Sequence, residues 1–195
     1  MRTKQEIESL YSSPTIEKRL SEIKDRKGKN AFLKSIITDT SAVVLNETMG
    51  NKTILFSGNK GPKTNTWEQT KQMAFELNNN GIDVAFLPEL LSEICADSLI
   101  RIGHIFLIAD FKYCVTSNSN TLAKDLEHGF DQAKTIVLKL ENMDFGLFKS
   151  SVDYLLRNEI PYGNIILINN YGKVLELSKR DIKTGIYKKK AQGFL

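Results

Sequence analysis

Apolar residues along this chain change their spacing near residue 40 and again at residue 67. Residues 3–37 are polar overall and helical in period: Ser13-Pro14 makes a helix start, and Ile16, Leu20 and Ile23 then mark one face. Residues 25–30 (DRKGKN) read as a break and 31–37 as a further short helix. Two β-type runs follow, 42–45 and 53–56, joined around Gly50-Asn51 as a hairpin. Residues 57–66 (SGNKGPKTNT) form a Gly/Pro/Asn-rich stretch, read as a connector or as a substrate-contacting loop carrying Lys60 and Lys63.

From Trp67 the periods are sharper. Thr66 and Gln69 form a capping box for a helix reaching Asn79, with Gly81 as its stop signal. Residues 82–87 are an apolar strand ended by Pro88. Residues 98–102 and 105–111 are two more strands, separated by Gly103-His104, which suits a two-residue hairpin with glycine first. A helix over 119–133, a strand over 135–140, a helix over 145–158 and two strands over 164–169 and 173–177 complete the pattern. Helix, three strands, helix, strand from 67 to 140 predicts an α/β fold with a mixed sheet and helices packed on it. Residues 105–109 (IFLIA) are apolar without alternation, as a central strand buried on both faces would be.

The hairpin places two acids together. Asp97 and Asp110 each lie six residues from their side of the turn, so the register sets them directly opposite one another. Like charges so opposed are destabilising, and a divalent cation between them would reverse the sign. Lys112, two residues beyond Asp110, shares its face of the strand. Hard carboxylate oxygens suit Mg²⁺, which takes one or two of them and keeps waters and phosphate oxygens. Lys112 would then orient a water or stabilise charge on a pentacovalent phosphate. Glu89, directly after the strand ending at Leu87-Pro88, is the preferred additional acid over Glu93. Gln132, late in the following helix, is a candidate for the same cleft. The alternative is that Asp97 and Asp110 are separate strand-end charges and that Lys112 only neutralises Asp110.

Composition adds bounds. The 195 residues are 41% hydrophobic and 26% charged, as in an ordinary globular protein. No apolar run approaches the roughly 18 residues of a membrane helix, and the N-terminus has no signal-peptide core. The chain therefore reads as cytoplasmic, or as entering another cytosol on a carrier. Net charge is +4, with six basic residues and one acid between Lys179 and Lys190. That segment reads as a solvated tail or as a strip, with Lys188, Lys189 and Lys190, that follows a phosphate backbone. Cys95 and Cys114 lack metal-ligand spacing and read as buried thiols. Two histidines, His104 and His128, leave little room for His-dependent chemistry.

These residues resemble the PD-(D/E)xK nuclease superfamily. Asp97 matches its first acid and Asp110-Phe111-Lys112 its (D/E)xK element. A longer series is similar to the C-terminal tRNase domain of CdiA-type contact-dependent growth inhibition toxins, and related modules end some phage and mobile-element proteins. It comprises Phe86-Leu87-Pro88-Glu89, Ala96-Asp97-Ser98-Leu99-Ile100, Asp110-Phe111-Lys112, Asn118-Ser119-Asn120-Thr121 and Asp131-Gln132-Ala133.

The resemblance covers residues 42–177. It implies a restriction-endonuclease-like αβββαβ core in a domain over 42–195, with 1–41 as a helical N-terminal extension. It also implies a Mg²⁺- or Mn²⁺-dependent ribonuclease that cuts tRNA, with a cognate immunity protein as a partner. Asp97, Asp110 and Lys112 would be its catalytic core and Glu89 a further metal-binding acid, while Asn120, Thr121 and Gln132 would line the site. Two departures stand: no proline precedes Asp97, and Asp replaces the commoner Glu at 110. A DNase of the same fold and a catalytically inactive binding module remain the competing readings.

Overall fold

Side-chain caps set the first and third helix starts in the N-terminal third, and a proline sets the second. In a computed structural model that describes residues 2–56, 67–88, 98–142 and 144–195, Thr3 caps α1 (Lys4–Tyr11) in a full capping box with Glu6. Pro14 stands in the first turn of α2 (Ser13–Glu22). The break expected over 25–30 is instead the start of α3 (Arg26–Ile37): Asp25 accepts the Gly28 N–H at 2.7 Å and caps the helix. A charged, glycine-containing segment reads as a turn by composition, but one N-cap carboxylate satisfies an orphan donor and starts the helix.

The chain divides into two compact units, Met1–Ile108 and Ala109–Leu195. In the first, β1 (Ala42–Thr48) pairs antiparallel with β2 (Asn51–Phe56). The turn residues are Met49 and Gly50, one position earlier than expected, and both have positive φ, 53° and 84°. That sign at both central positions is what a type I′ hairpin needs. The chain crosses through α4 (Trp67–Asn79) to β3 (Ile82–Phe86), parallel to β2, and β4 (Ser98–Ile102) returns antiparallel, with Asp83 opposite Arg101.

The N-terminal helices share this unit's core. Ile7, Ile16, Leu33 and Ile36 are buried, and Tyr11 stacks on Phe56 with ring centroids 4.3 Å apart. Asn78 of α4 is a buried polar staple: it accepts from Thr53 Oγ1 (2.7 Å) and Asn46 Nδ2 (3.0 Å) and donates to the Ile82 carbonyl (2.8 Å).

Gly103, φ 57°, and His104 turn β4 into β5 (Ile105–Cys114), which runs three residues further than the apolar pattern alone marks. The expectation of two-sided burial over 105–109 needs correcting: Ile105 is 61% exposed, and the fully buried stretch is Ile108–Phe111. The second unit continues from β5 through α5 (Ser119–Gln132) to β6 (Thr135–Leu140), then through α6 (Phe145–Arg157) to β7 (Asn164–Ile168). Both crossovers join parallel neighbours, and β8 (Val174–Leu177) closes antiparallel to β7. Buried Leu122, Leu126, Ile136, Leu138, Phe148 and Leu155 form its core.

The basic C-terminal segment is not a solvated tail. It folds as α7 (Lys179–Lys183) and α8 (Ile186–Gln192), joined by Gly185 at φ 75°, and buries Ile182, Tyr187 and Ala191. Its lysines hid an apolar period too short to stand out from the charge run. Among the described residues no helix is long and apolar enough to cross a membrane.

Candidate active site

Ala109, Asp110 and Phe111 are buried in succession on β5, beside Thr135, Ile136 and Val137 of β6. Alternation along the strand puts Asp110, Lys112 and Cys114 on one face. Asp110 is 1% exposed, and a carboxylate so placed needs an opposite charge or hydrogen bonds to stay ionised. Lys112 supplies the charge: its Nζ lies 2.8 Å from Asp110 Oδ2 while its side chain stays 22% exposed. The pair thus joins a dry carboxylate to an ammonium that reaches the surface.

Helix α5 covers this face. Gly129 packs so closely that a Cβ built on it would stand 2.9 Å from both Asp110 Oδ2 and Ile136 Cδ1. Glycine inside a helix costs about 0.5–1 kcal/mol relative to alanine, and here the missing side chain is the space in which the carboxylate sits. One turn earlier, Asp125 Oδ2 lies 3.8 Å from the Cys114 thiol. Burial, with the Asp125 charge added, pushes that thiol up to about 12. Cys114 is therefore neither a nucleophile nor a thiolate ligand at neutral pH. Gly129 and Asp125 carried no motif; the glycine within a helical period was the one available signal of a close approach.

Of the residues predicted from sequence, Asp110 and Lys112 are brought together. Gln132 ends α5 one turn beyond Gly129, on the same flank of the helix. Asn120 and Thr121 are exposed in its first turn, where their backbone N–H groups are held by the Asn118 side chain at 2.8 and 3.3 Å. Lys188 and Lys190 of α8 pair with Asp153 (3.2 Å) and Asp181 (2.9 Å), and Lys189 is exposed. Asp97, Glu89 and Glu93, with Lys60, Lys63, Thr66 and Cys95, lie outside the described residues, and so does the opposition of Asp97 to Asp110.

Among the described residues, no group of three His, Cys, Asp or Glu side chains could hold a metal ion. The donor present still fits a hard cation in kind: Asp110 offers carboxylate oxygen, and Mg²⁺ needs only one or two such groups. Asp110 would supply one of these acids, and Asp97 or Glu89 would supply a second.

The described portion is thus an α/β chain with a buried carboxylate–lysine pair on a strand, capped by a glycine-bearing helix. No family model matches it, and no curated protein matches it. Among solved structures it is similar to a CdiA-CT/CdiI toxin and immunity complex from Burkholderia pseudomallei. The identity is 22% and the TM-score 0.45, over 60% of this chain and 91% of that one.

Proposed function

We propose that this chain is a metal-dependent nuclease, a toxin-type ribonuclease acting on tRNA, with a cognate immunity protein as a partner. The observation that carries the reading is the Asp110–Lys112 pair, an acid and a base two residues apart on one strand face, 2.8 Å from each other. The pair keeps its acid dry and its ammonium partly wet, so the positive charge of Lys112 is within reach of a phosphodiester approaching from solvent.

In this mechanism Asp110, with Asp97 and Glu89, would hold a Mg²⁺ or Mn²⁺ ion. When bound, such an ion supplies Lewis-acid polarisation of a phosphoryl oxygen. The Lys112 ammonium, 2.8 Å from Asp110 Oδ2, would stabilise negative charge developing on the phosphate. Gly129 fixes the position of that carboxylate by leaving it room. Asn120, Thr121 and Gln132 on α5, and Lys188, Lys189 and Lys190 on α8, would contact the nucleic acid.

The test is incubation of the purified protein with total tRNA and with duplex DNA, with and without Mg²⁺, alongside Asp110→Ala. Cleavage of tRNA that needs the metal and Asp110 is the expected result. Undiminished cleavage in excess chelator would overturn the metal dependence, and cleavage of DNA alone would overturn the substrate. The Asp110–Lys112 pair also suits an inactive scaffold in which the two groups merely neutralise each other; absence of any metal-dependent cleavage would leave that reading.

A further inference from the structure

The first unit contains a cleft of about 590 Å³, within the size range of small-ligand sites. It lies between α3, the β1–β2 hairpin and the Gly103-His104 turn, at the end of β3 opposite Pro88. Ile37, Val44 and Phe106 give it apolar lining, while Lys34, Lys52 and Arg101 give it cationic lining.

Two carboxylates also border the cleft, and both are already engaged. Asp83 is buried, accepts the Lys52 N–H at 2.7 Å, and is gripped by the Arg101 guanidinium through Nε and one terminal nitrogen. Asp39 accepts the Ser41 N–H at 2.8 Å and bonds to Arg2 and the Tyr11 hydroxyl. Arg101 stands directly across from Asp83 on the neighbouring strand, so this ion pair holds the guanidinium at the wall and leaves its other terminal nitrogen to donate. Lys34 has no ion-pair partner among the described residues, and Lys52 has only Glu47, an exposed pair at 3.4 Å. Exposed pairs contribute little, so the cleft keeps uncompensated positive charge beside an apolar wall. At the rim, Gly50 and Gly103 carry no side chain to narrow the opening.

We infer that this cleft binds a phosphorylated ligand with a planar apolar body, of nucleotide size, its phosphate on Lys34, Lys52 and Arg101 and its ring against Val44 and Phe106. The phosphate could belong to a free nucleotide or to a nucleic-acid strand. The inference is independent of the nuclease reading, because none of these residues belongs to the Asp110 site.

Calorimetric titration of the full chain with AMP, with a short single-stranded RNA and with inorganic phosphate tests it. Saturable binding of AMP or the RNA is expected, weakened about tenfold or more by the double charge reversal Lys34→Glu/Lys52→Glu. Phe106→Ala should weaken both organic ligands and leave inorganic phosphate unaffected. Asp110→Asn, which should abolish cleavage, should leave the dependence of the AMP titration on Lys34 and Lys52 unchanged. Binding of AMP identifies a free nucleotide as sufficient, and binding of RNA alone identifies the strand. Unfolding of either cleft variant, checked by circular dichroism, is met by repeating the titration with Lys34→Gln. No binding of AMP or RNA to the wild-type chain at millimolar ligand, inorganic phosphate binding as tightly as AMP, or indifference to the charge substitutions would each overturn the inference.

Discussion

The α-carbon of Gly129 faces the carboxylate of Asp110 so closely that a methyl group there would stand 2.9 Å from Oδ2. Gly129→Ala therefore sets a favourable helix substitution against a steric clash. The gain is at most about 1 kcal/mol, and overpacking a filled site costs about 1–3 kcal/mol. The variant should melt lower than the wild type and, on the proposed function, lose metal-dependent cleavage by more than its loss of stability explains. Calorimetric melting and a cleavage assay on the same preparation check this.

Removing Lys112 leaves Asp110 buried beside an apolar strand. Breaking a buried ion pair from one side costs about 3–5 kcal/mol, and the partial exposure of Lys112 lowers the expectation for Lys112→Met to about 2–3 kcal/mol. Adding Asp110→Asn removes the buried charge that Lys112 balanced, so the double variant should be more stable than Lys112→Met alone. Urea melts of the four proteins in the cycle measure the coupling, and additivity of the two single changes would show that the pair does not interact.

Acid sensitivity of the second unit should centre on Asp153. Partial burial would raise its carboxyl, but hydrogen bonds from Lys149, Tyr187 and Lys188 outweigh that and hold it down at about 2. A folded-state value below the unfolded one contributes stability that is present above pH 4 or so and is lost as pH falls towards about 2. Tyr187→Phe removes the 2.6 Å bond and should cost about 1–2 kcal/mol at neutral pH. It should also move the acid transition upwards. At the alkaline end burial, then Asp153, raises the Tyr187 phenol, so the wild type should lose stability above pH 10, and the Phe variant should lack that loss. Melting temperature across pH reads both limbs.

Asn78→Ala should destabilise the first unit by about 1–2 kcal/mol, because Thr53 Oγ1, the Asn46 amide and the Ile82 carbonyl each lose a hydrogen bond, while Thr53 keeps the Ala74 carbonyl at 3.5 Å and Asn46 keeps the Thr48 hydroxyl at 3.2 Å. Thermal melts of Asn78→Ala against Asn78→Asp separate the hydrogen bonds from the volume.

Element order was legible because each strand and helix from Trp67 to Leu177 carries its own period and its own punctuation, as Gly81 and Gly103-His104 do. Two places misled for physical reasons. At Asp25 a single capping carboxylate outweighs a turn-like composition, and at Tyr187 one deeply buried ring docks a helix whose other residues are mostly lysine. The Asp110–Lys112 pair followed from strand alternation alone. Gly129 and Asp125 did not, since a helix's distance from a strand is set by tertiary packing and leaves no local pattern. The Asp83–Arg101 pair was equally silent, because it depends on which residues the sheet register places across from each other.

Cys114 gives the second unit a built-in clock. Its thiol is 6% exposed, sits under α5 and stays protonated to about pH 12. An alkylating reagent at neutral pH can therefore react with it only in molecules whose helix has lifted from the strand. With Cys95 changed to serine, the rate of that single labelling event measures how often the layer over Asp110 opens. It needs no substrate and no cleavage, so the motion of the site can be timed before its chemistry is known.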